Sequence, residues 1–327
     1  MKAEELLRVE GLGLDFVTPE GVARVLDDVS FGIRRGEVFS LVGETGCGKT
    51  VTALAIMGLL PPNARSRGRV VFRGEDLLTK GEGYLEALRG SRISMIFQDP
   101  ATSLNPVFTV GEQISRVIMV HQGMDRASAL RAAGGLLRDV ALPDPQRVLR
   151  SYPHELSGGM QQRSMIAMAL ACRPDLLIAD EPTTAVDVTV QAQILDLILH
   201  LRDSLGLAVM LITHNIGVVA EATDRVGVMY AGHLVEEGPT EEVLRRPAHP
   251  YTRGLLNALP RPSLRGRPLE NIPGTVPGLL EPPRGCRFHP RCPHVMDLCM
   301  REKPRMVAVG TGHAALCVLH YPEVRHG

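Results

Sequence analysis

The sequence predicts an α/β domain built on a largely parallel sheet, followed by a small cysteine-rich segment of different texture. Three observations predict this. From Leu6 to about Gly238, short apolar runs of strand type alternate with longer segments of helical period, the pattern of strands linked by helices. Several of those runs are nearly continuous in apolar residues, as strands buried on both faces are. Beyond Pro247, proline, arginine and cysteine become frequent, with turn pairs such as Arg261-Pro262 and Pro282-Pro283.

Composition bounds the function. The chain has 327 residues, 44% of them apolar, enough to bury a core and to form about two domains. Its 36 basic and 36 acidic side chains balance, which argues against nucleic acid as its main partner. No stretch approaches the roughly 18 uninterrupted apolar residues of a membrane span, and MKAEELLRVEGL lacks the apolar core of a signal peptide. A cytoplasmic location is therefore expected. Stable disulfides are not expected there, which turns attention for the clustered cysteines to metal ligation or redox chemistry.

Four strands read clearly: Val38 to Val42, Ile93 to Phe97, Leu176 to Ala179 and Leu207 to Thr213. Each stops at polar residues, namely Gly43 onward, Gln98, Asp180-Glu181 and His214. Ligands of open α/β sheets bind at the carboxyl ends of strands, so these endings are candidate site residues. A helix-rich insertion runs from about 99 to 172. The domains are expected at 1–246 and 247–327, the second with little regular structure and four of the six cysteines.

The first strand ending carries chemistry. Gly43-Glu44-Thr45-Gly46-Cys47-Gly48-Lys49-Thr50 fits G-x-x-x-x-G-K-[ST], and the residues from Val51 to Leu60 read as a helix. The glycines let backbone N–H groups turn inward onto an anion, and the helix N-terminus adds favourable partial charge. Lys49 would reach the β- and γ-phosphates of a nucleotide, and the Thr50 hydroxyl would ligate magnesium. Only four lysines occur against 32 arginines, and a compact ammonium suits a crowded phosphate pocket. Asp180 would then hold hydrated magnesium while Glu181 polarises the attacking water. His214, 33 residues beyond Glu181, would contact the γ-phosphate; a buried, hydrogen-bonded histidine is the alternative. Cys47 lies beside Lys49 and inward N–H groups, which should favour its thiolate and expose hydrolysis to alkylation.

Leu156-Ser-Gly-Gly-Met-Gln-Gln-Arg163 precedes a helical run, with Ser157 placed to cap it. Lying between a phosphate loop and an Asp-Glu strand, this motif is similar to the signature of ATP-binding cassette proteins. The resemblance covers residues 6 to 238. It implies a P-loop NTPase cassette with a RecA-like core, an antiparallel β edge and a helical subdomain, binding ATP and magnesium. It also implies that Ser157, Gly158 and Gly159 meet the γ-phosphate of ATP held by a second subunit. Gln98, in IFQDPATSLNP, matches the family's glutamine loop, which contacts magnesium and senses the membrane partner. Thr184 to Asp187 match the loop that crosses the dimer interface. Phe16 stands where an aromatic stacks on adenine, with an ordinary core role as the alternative.

More narrowly, IFQDPATSLNP, YPHELSGGMQQR, DVTVQAQIL and His249-Pro250-Tyr251-Thr252-Arg253 resemble the ATP-binding subunits of dipeptide, oligopeptide and nickel importers. Cys47 for serine, Val186 for leucine and Asn215 for aspartate are mild departures. The resemblance implies a second cassette, identical or paralogous, two integral membrane permease subunits and an extracytoplasmic solute-binding protein. It places the chain peripherally on the cytoplasmic face of the membrane, while the solute itself is not encoded here. A soluble cassette ATPase acting on nucleic acid or ribosomes is the rival reading, and a metal-sensing module a second.

Cys286, Cys292, Cys299 and Cys317 are spaced C-x5-C-x6-C-x17-C, without the C-x-x-C knuckles of structural zinc. Four thiolates suit either zinc or an iron–sulfur cluster, and spacing alone leaves zinc, cluster and free thiols open. The resemblance implies a 4Fe–4S cluster. Its role would be structural before redox, since the segment is poor in apolar core. His289, His294 and His313 lie nearby as further candidate ligands.

Overall fold

The computed structural model describes residues 4–183, 188–259 and 271–325. The strands in chain order are β1 (Glu5–Thr18), β2 (Gly21–Arg34), β3 (Val38–Val42), β4 (Ala64–Phe72), β5 (Glu75–Asp76), β6 (Ile93–Ile96), β7 (Leu176–Asp180) and β8 (Ala208–Thr213). They continue with β9 (Arg225–Tyr230), β10 (His233–Pro239), β11 (Val307–Gly310) and β12 (His313–Ala315). The helices begin with α1 (Lys49–Met57), α2 (Glu82–Leu88), α3 (Pro100–Ser103), α4 (Val110–Gln122), α5 (Arg126–Asp139), α6 (Pro145–Arg150) and α7 (Gly158–Ala169). They end with α8 (Val188–Leu205), α9 (Ile216–Ala222), α10 (Thr240–Arg245), α11 (Pro250–Asn257), α12 (Asp297–Arg301) and α13 (Pro322–Arg325).

Two compact units share the chain, both discontinuous. One comprises residues 1–4, 34–38 and 79–212; the other holds 5–33, 39–78 and 213–327. The first contains a parallel run of β6, β7 and β8, with Ile93 opposite Leu176 and Leu176 opposite Ala208. Every residue of β7 and β8 is buried, which is why these segments read as unbroken apolar runs. The helices α2 to α8 belong to this unit, and their ends are set locally. Thr109 and Glu112 form a reciprocal capping box at the start of α4, and Gly123 ends it at φ +66°. Asp125 caps α5 by accepting from the N–H groups of Ala127 and Ser128.

The second unit has two sheets. One is ordered β2, β1, β4, β5, with β4 antiparallel to both β1 and β5. In the other, β3 lies parallel to β9, then β10 and β12 follow antiparallel, and β11 forms the edge. The tail therefore has more regular structure than its composition suggests. Its hairpin VAVG–HAA turns at Gly312, φ +66°, and covers the edge of β10. Strands of four and three residues are too short to show a period, and an open strand edge is a pairing template that folds cover. The tail's Tyr251 and Phe288 are buried in one core with Val42, Val226, Val228, Tyr230 and Val235. Burial of such a large side chain stabilises by about 1.5–3 kcal/mol.

Charge and hydrogen bonding add to that packing. Asp27 on β2 accepts from His233 Nε2 at 3.0 Å and from Lys303 Nζ at 2.9 Å, with Arg287 at 3.8 Å. His233 foremost, and Lys303 with it, hold its carboxyl well below the usual range against the opposing effect of burial. Glu236 on β10 is fully buried and accepts from the backbone N–H groups of Ala248 (2.6 Å) and His249 (2.9 Å) and from His313 Nε2 (2.7 Å). It ties together a strand, the start of α11 and the hairpin.

Candidate functional site

The phosphate loop leaves β3, whose five residues are all buried, and enters α1. The helix begins at Lys49 and ends at Met57, earlier than the apolar run to Leu60, because Gly58 stops it at φ +65°. Glycine is required at two loop positions. A Cβ on Gly43, at φ +154°, would lie 2.1 Å from the carbonyl oxygen of Met229; one on Gly48, at φ +110°, would lie 2.6 Å from Leu26. Gly48 caps α1 without a side-chain hydrogen bond, which leaves the first N–H groups of the helix to receive an anion. Lys49 is buried to 6% exposure and donates to the carbonyls of Gly43 (2.8 Å) and Glu44 (3.1 Å). Its stem and these bonds hold the ammonium inside the loop's own curl.

Cys47 corrects an expectation. Its Sγ lies 3.7 Å from Lys49 Nζ, but the residue is only 1% exposed. Burial pushes the thiol up by more than the neighbouring ammonium pulls it down. The thiolate is disfavoured, and reagents have little access to it.

In the other unit, β7 ends at Asp180, buried to 3% exposure, and Glu181 follows with φ +47°. That left-handed conformation is uncommon for a residue with a side chain. The Glu181 N–H donates to the carbonyl of Ile212 on β8 at 2.9 Å, which fixes the turn. Gln98, just past β6, donates from Nε2 to Glu181 Oε2 at 2.9 Å. The parallel pairing of β6 and β7 thus brings two of the sequence-predicted residues into direct contact. Ser157 caps α7 by accepting from Met160 N–H at 3.4 Å, with Gly158 and Gly159 opening the helix. A Cβ on Gly159 would press on Val190 of α8 at 3.1 Å.

Phe16 lies near the end of β1, half-buried and in register with Ala64 of β4. His214 is exposed in the turn after β8, so the alternative of a buried core histidine does not hold. Asp187, with Thr184 to Val186, lies outside the described residues.

Cys286, Cys292, Cys299 and Cys317 line one cavity, with His249, His289 and His294 on its wall. Burial pushes the Cys286 thiol up to about 12, helped by the other three cysteines, and Cys317 up to about 11. None is in a disulfide. Among the described residues, no group of three or more His, Cys, Asp or Glu side chains is arranged to hold a metal ion. The donor set of four soft sulfurs on one cavity is nonetheless of the kind that zinc or iron–sulfur centres take. His313 is engaged elsewhere, on Glu236.

The HPYTR run now has a local account. His249 caps α11 by accepting the Tyr251 N–H at Nδ1, 3.0 Å away, and burial brings its pKa down to about 4, so the ring is neutral and can accept. Pro250 stands at the first helical position, and the Tyr251 hydroxyl accepts the backbone N–H of Glu44 at 3.0 Å. Sequence reasoning singled out this motif without finding that contact. It missed Arg291 altogether, since one arginine in a basic segment carries no signal.

Solved structures share this architecture. The dimeric ATP-binding cassette MJ0796, in a post-hydrolysis state with ADP and Pi, matches 72% of this chain and 99% of its own at TM-score 0.65 and 26% identity. The cassette cbiO1 of Clostridium perfringens, part of the transporter complex cbiONQ, matches 74% of this chain and 92% of its own at TM-score 0.63 and 27% identity. The fold and the glycine-lysine loop thus define a P-loop NTPase of the cassette class, an ATPase.

A family model described as ABC transporter matches residues 26–184, and one described as oligopeptide/dipeptide transporter, C-terminal region, matches residues 235–299. The oligopeptide transport ATP-binding protein OppD of Salmonella typhimurium is 49% identical over 315 residues, 96% of this chain and 94% of its own. The dipeptide transport ATP-binding protein DppD of Bacillus subtilis is 46% identical over 325 residues, covering 99% and 97%. A probable peptide ABC transporter ATP-binding protein of Sinorhizobium fredii, y4tR, is 52% identical over 320 residues, covering 97% and 95%. The chain belongs to the ATP-binding cassette transporter family, among the ATP-binding subunits of the oligopeptide/dipeptide group. Among its described residues no helix is long and apolar enough to cross a membrane.

Proposed function

We propose that this chain energises the import of di- or oligopeptides, by binding and hydrolysing ATP on the cytoplasmic face of a membrane whose spanning subunits are separate chains. The observation that carries this reading is the match to oligopeptide and dipeptide ATP-binding proteins over nearly the whole length, tail included. In the residue assignment, the backbone of 43–48, Lys49 and the N–H groups of Thr50 and Val51 receive the phosphates. Thr50, Asp180 and Gln98 offer the hard oxygen donors that magnesium takes, and the ion would neutralise charge on the transferring phosphoryl group. Glu181 polarises the attacking water, Gln98 orients that carboxylate through its 2.9 Å hydrogen bond, and His214 contacts the γ-phosphate. Phe16 stacks on adenine.

A second cassette, identical or paralogous, completes the site, because Ser157, Gly158, Gly159 and Asp187 act on ATP held by another subunit's loop. The membrane subunits dock on the helical region, where a groove of about 710 Å³ is lined by Phe108, Val117, Met119 and Val120. Phe108 and Val120 are 42% and 70% exposed, an apolar surface that a partner helix would cover. An extracytoplasmic binding protein delivers the solute. In the tail, Cys286, Cys292, Cys299 and Cys317 hold a 4Fe–4S cluster, which the shared cavity supports.

Substitution Glu181→Ala tests the catalytic assignment. With its cognate subunits, the variant should lose at least about 100-fold in ATP turnover, the lower range for a general base, while ATP binding persists. Normal turnover would remove Glu181 from the role of base. Transport of labelled peptides by the reconstituted assembly, with no uptake of nickel, tests the solute class.

A further inference from the structure

The phosphate loop is held by two side chains of the tail, and both act on Glu44. The Tyr251 hydroxyl accepts the Glu44 N–H at 3.0 Å. The Arg291 guanidinium meets the Glu44 carboxylate with both terminal nitrogens, at 2.8 and 3.2 Å. The carbonyl of the same residue accepts from Lys49 Nζ at 3.1 Å and from Cys47 N–H at 3.2 Å. Glu44 is therefore tied at its amide, its carbonyl and its side chain, and its carbonyl contact is to the lysine that serves the phosphates.

Arg291 is built into its place. Its side chain is 5% exposed, and its remaining donors reach the carbonyl oxygens of Pro273 (2.9 Å) and Ile272 (3.3 Å) and the Tyr230 hydroxyl (3.4 Å). The five N–H groups of a guanidinium thus face five acceptors. Its carbon sits 5.7 Å from the centre of the Tyr230 ring, which in turn packs on Tyr251 and Phe288 at 4.6 and 5.1 Å. The two gripping residues are consequently held by one aromatic cluster. A loop whose conformation is fixed before the nucleotide arrives loses less freedom on binding it.

We propose that Arg291 and Tyr251 are positioning residues of the ATP site, which hold Glu44 and with it the turn carrying Lys49 in the shape that receives phosphates. The tail thereby sets the affinity of the loop for ATP. This rests on the assignment of residues 43–50 to the phosphates of ATP.

Titration calorimetry of MgATP into the full chain tests it, on the wild type, Arg291→Met, Arg291→Lys, Glu44→Gln and the double variant Arg291→Met with Glu44→Gln. Arg291→Met and Glu44→Gln should each raise Kd about tenfold, within the usual span of coupling between linked sites. Arg291→Lys, which keeps the charge but not the fork, should recover part of the loss. The double variant should bind no more weakly than the weaker single, because both remove one contact. Affinities within about twofold of wild type for both singles, or losses that add, would overturn the proposal. Should Arg291→Met unfold the tail by circular dichroism, Glu44→Gln decides alone, since that side chain is one-third exposed and its replacement spares the core. A wild type without ATP affinity would instead overturn the assignment of the loop itself.

Discussion

At Glu181 the backbone is held at φ +47° by a hydrogen bond to Ile212, and the side chain is held by Gln98. Conformations of this kind cost about 1–3 kcal/mol and persist where surrounding structure enforces them, commonly at functional sites. Cys47 shows burial and charge in opposition. Lys49 favours the thiolate, yet at 1% exposure the lost hydration outweighs it. Alkylation of Cys47 in the native chain should therefore run at least about tenfold slower than in urea, because it waits on local opening. Peptide mass spectrometry after timed labelling reads this directly. Equal rates in the two conditions would show the thiol to be accessible.

At the scale of elements, the joint between β10 and α11 depends on one carboxylate. Burial raises the Glu236 pKa, but hydrogen bonds from His313, Ala248 and His249 outweigh it and hold the group below its usual range. A carboxyl with a depressed pKa in the folded state contributes stability above its unfolded pKa, near 4.5. That contribution is lost as pH falls from there through the lower folded value. Glu236→Gln places amide hydrogens against backbone N–H donors, and should cost about 1.5–3 kcal/mol at pH 7. It should also flatten the fall in stability below pH 4.5. Denaturant midpoints from pH 3 to 7 measure both effects, and parallel profiles for the two proteins would remove Glu236 from the acid response.

Across the whole molecule, the tail is part of the second unit's core and sheet, so its own stability bears on the ATPase. Anaerobically purified chain should carry about four iron and four sulfide, as a four-thiolate cubane requires, with visible absorption that is lost on Cys299→Ser. Stoichiometric zinc without iron would assign the cavity to a single tetrahedral ion. Much of this was readable in advance. The strands at 38–42, 93–96, 176–180 and 208–213 announce themselves because burial on both faces demands unbroken apolar runs. The phosphate loop, Asp180-Glu181 and Ser157 are legible because each is a short contiguous stretch whose chemistry depends on neighbours in the chain. The tail hairpin was not, since strands of three and four residues carry no period and form by pairing with β10. Nor was the Arg291–Glu44 pair, whose members are 247 positions apart. Local backbone geometry and residue type suffice for a loop that curls around an anion, whereas a contact across that separation exists only once packing of Tyr230, Tyr251 and Phe288 has closed the chain upon itself.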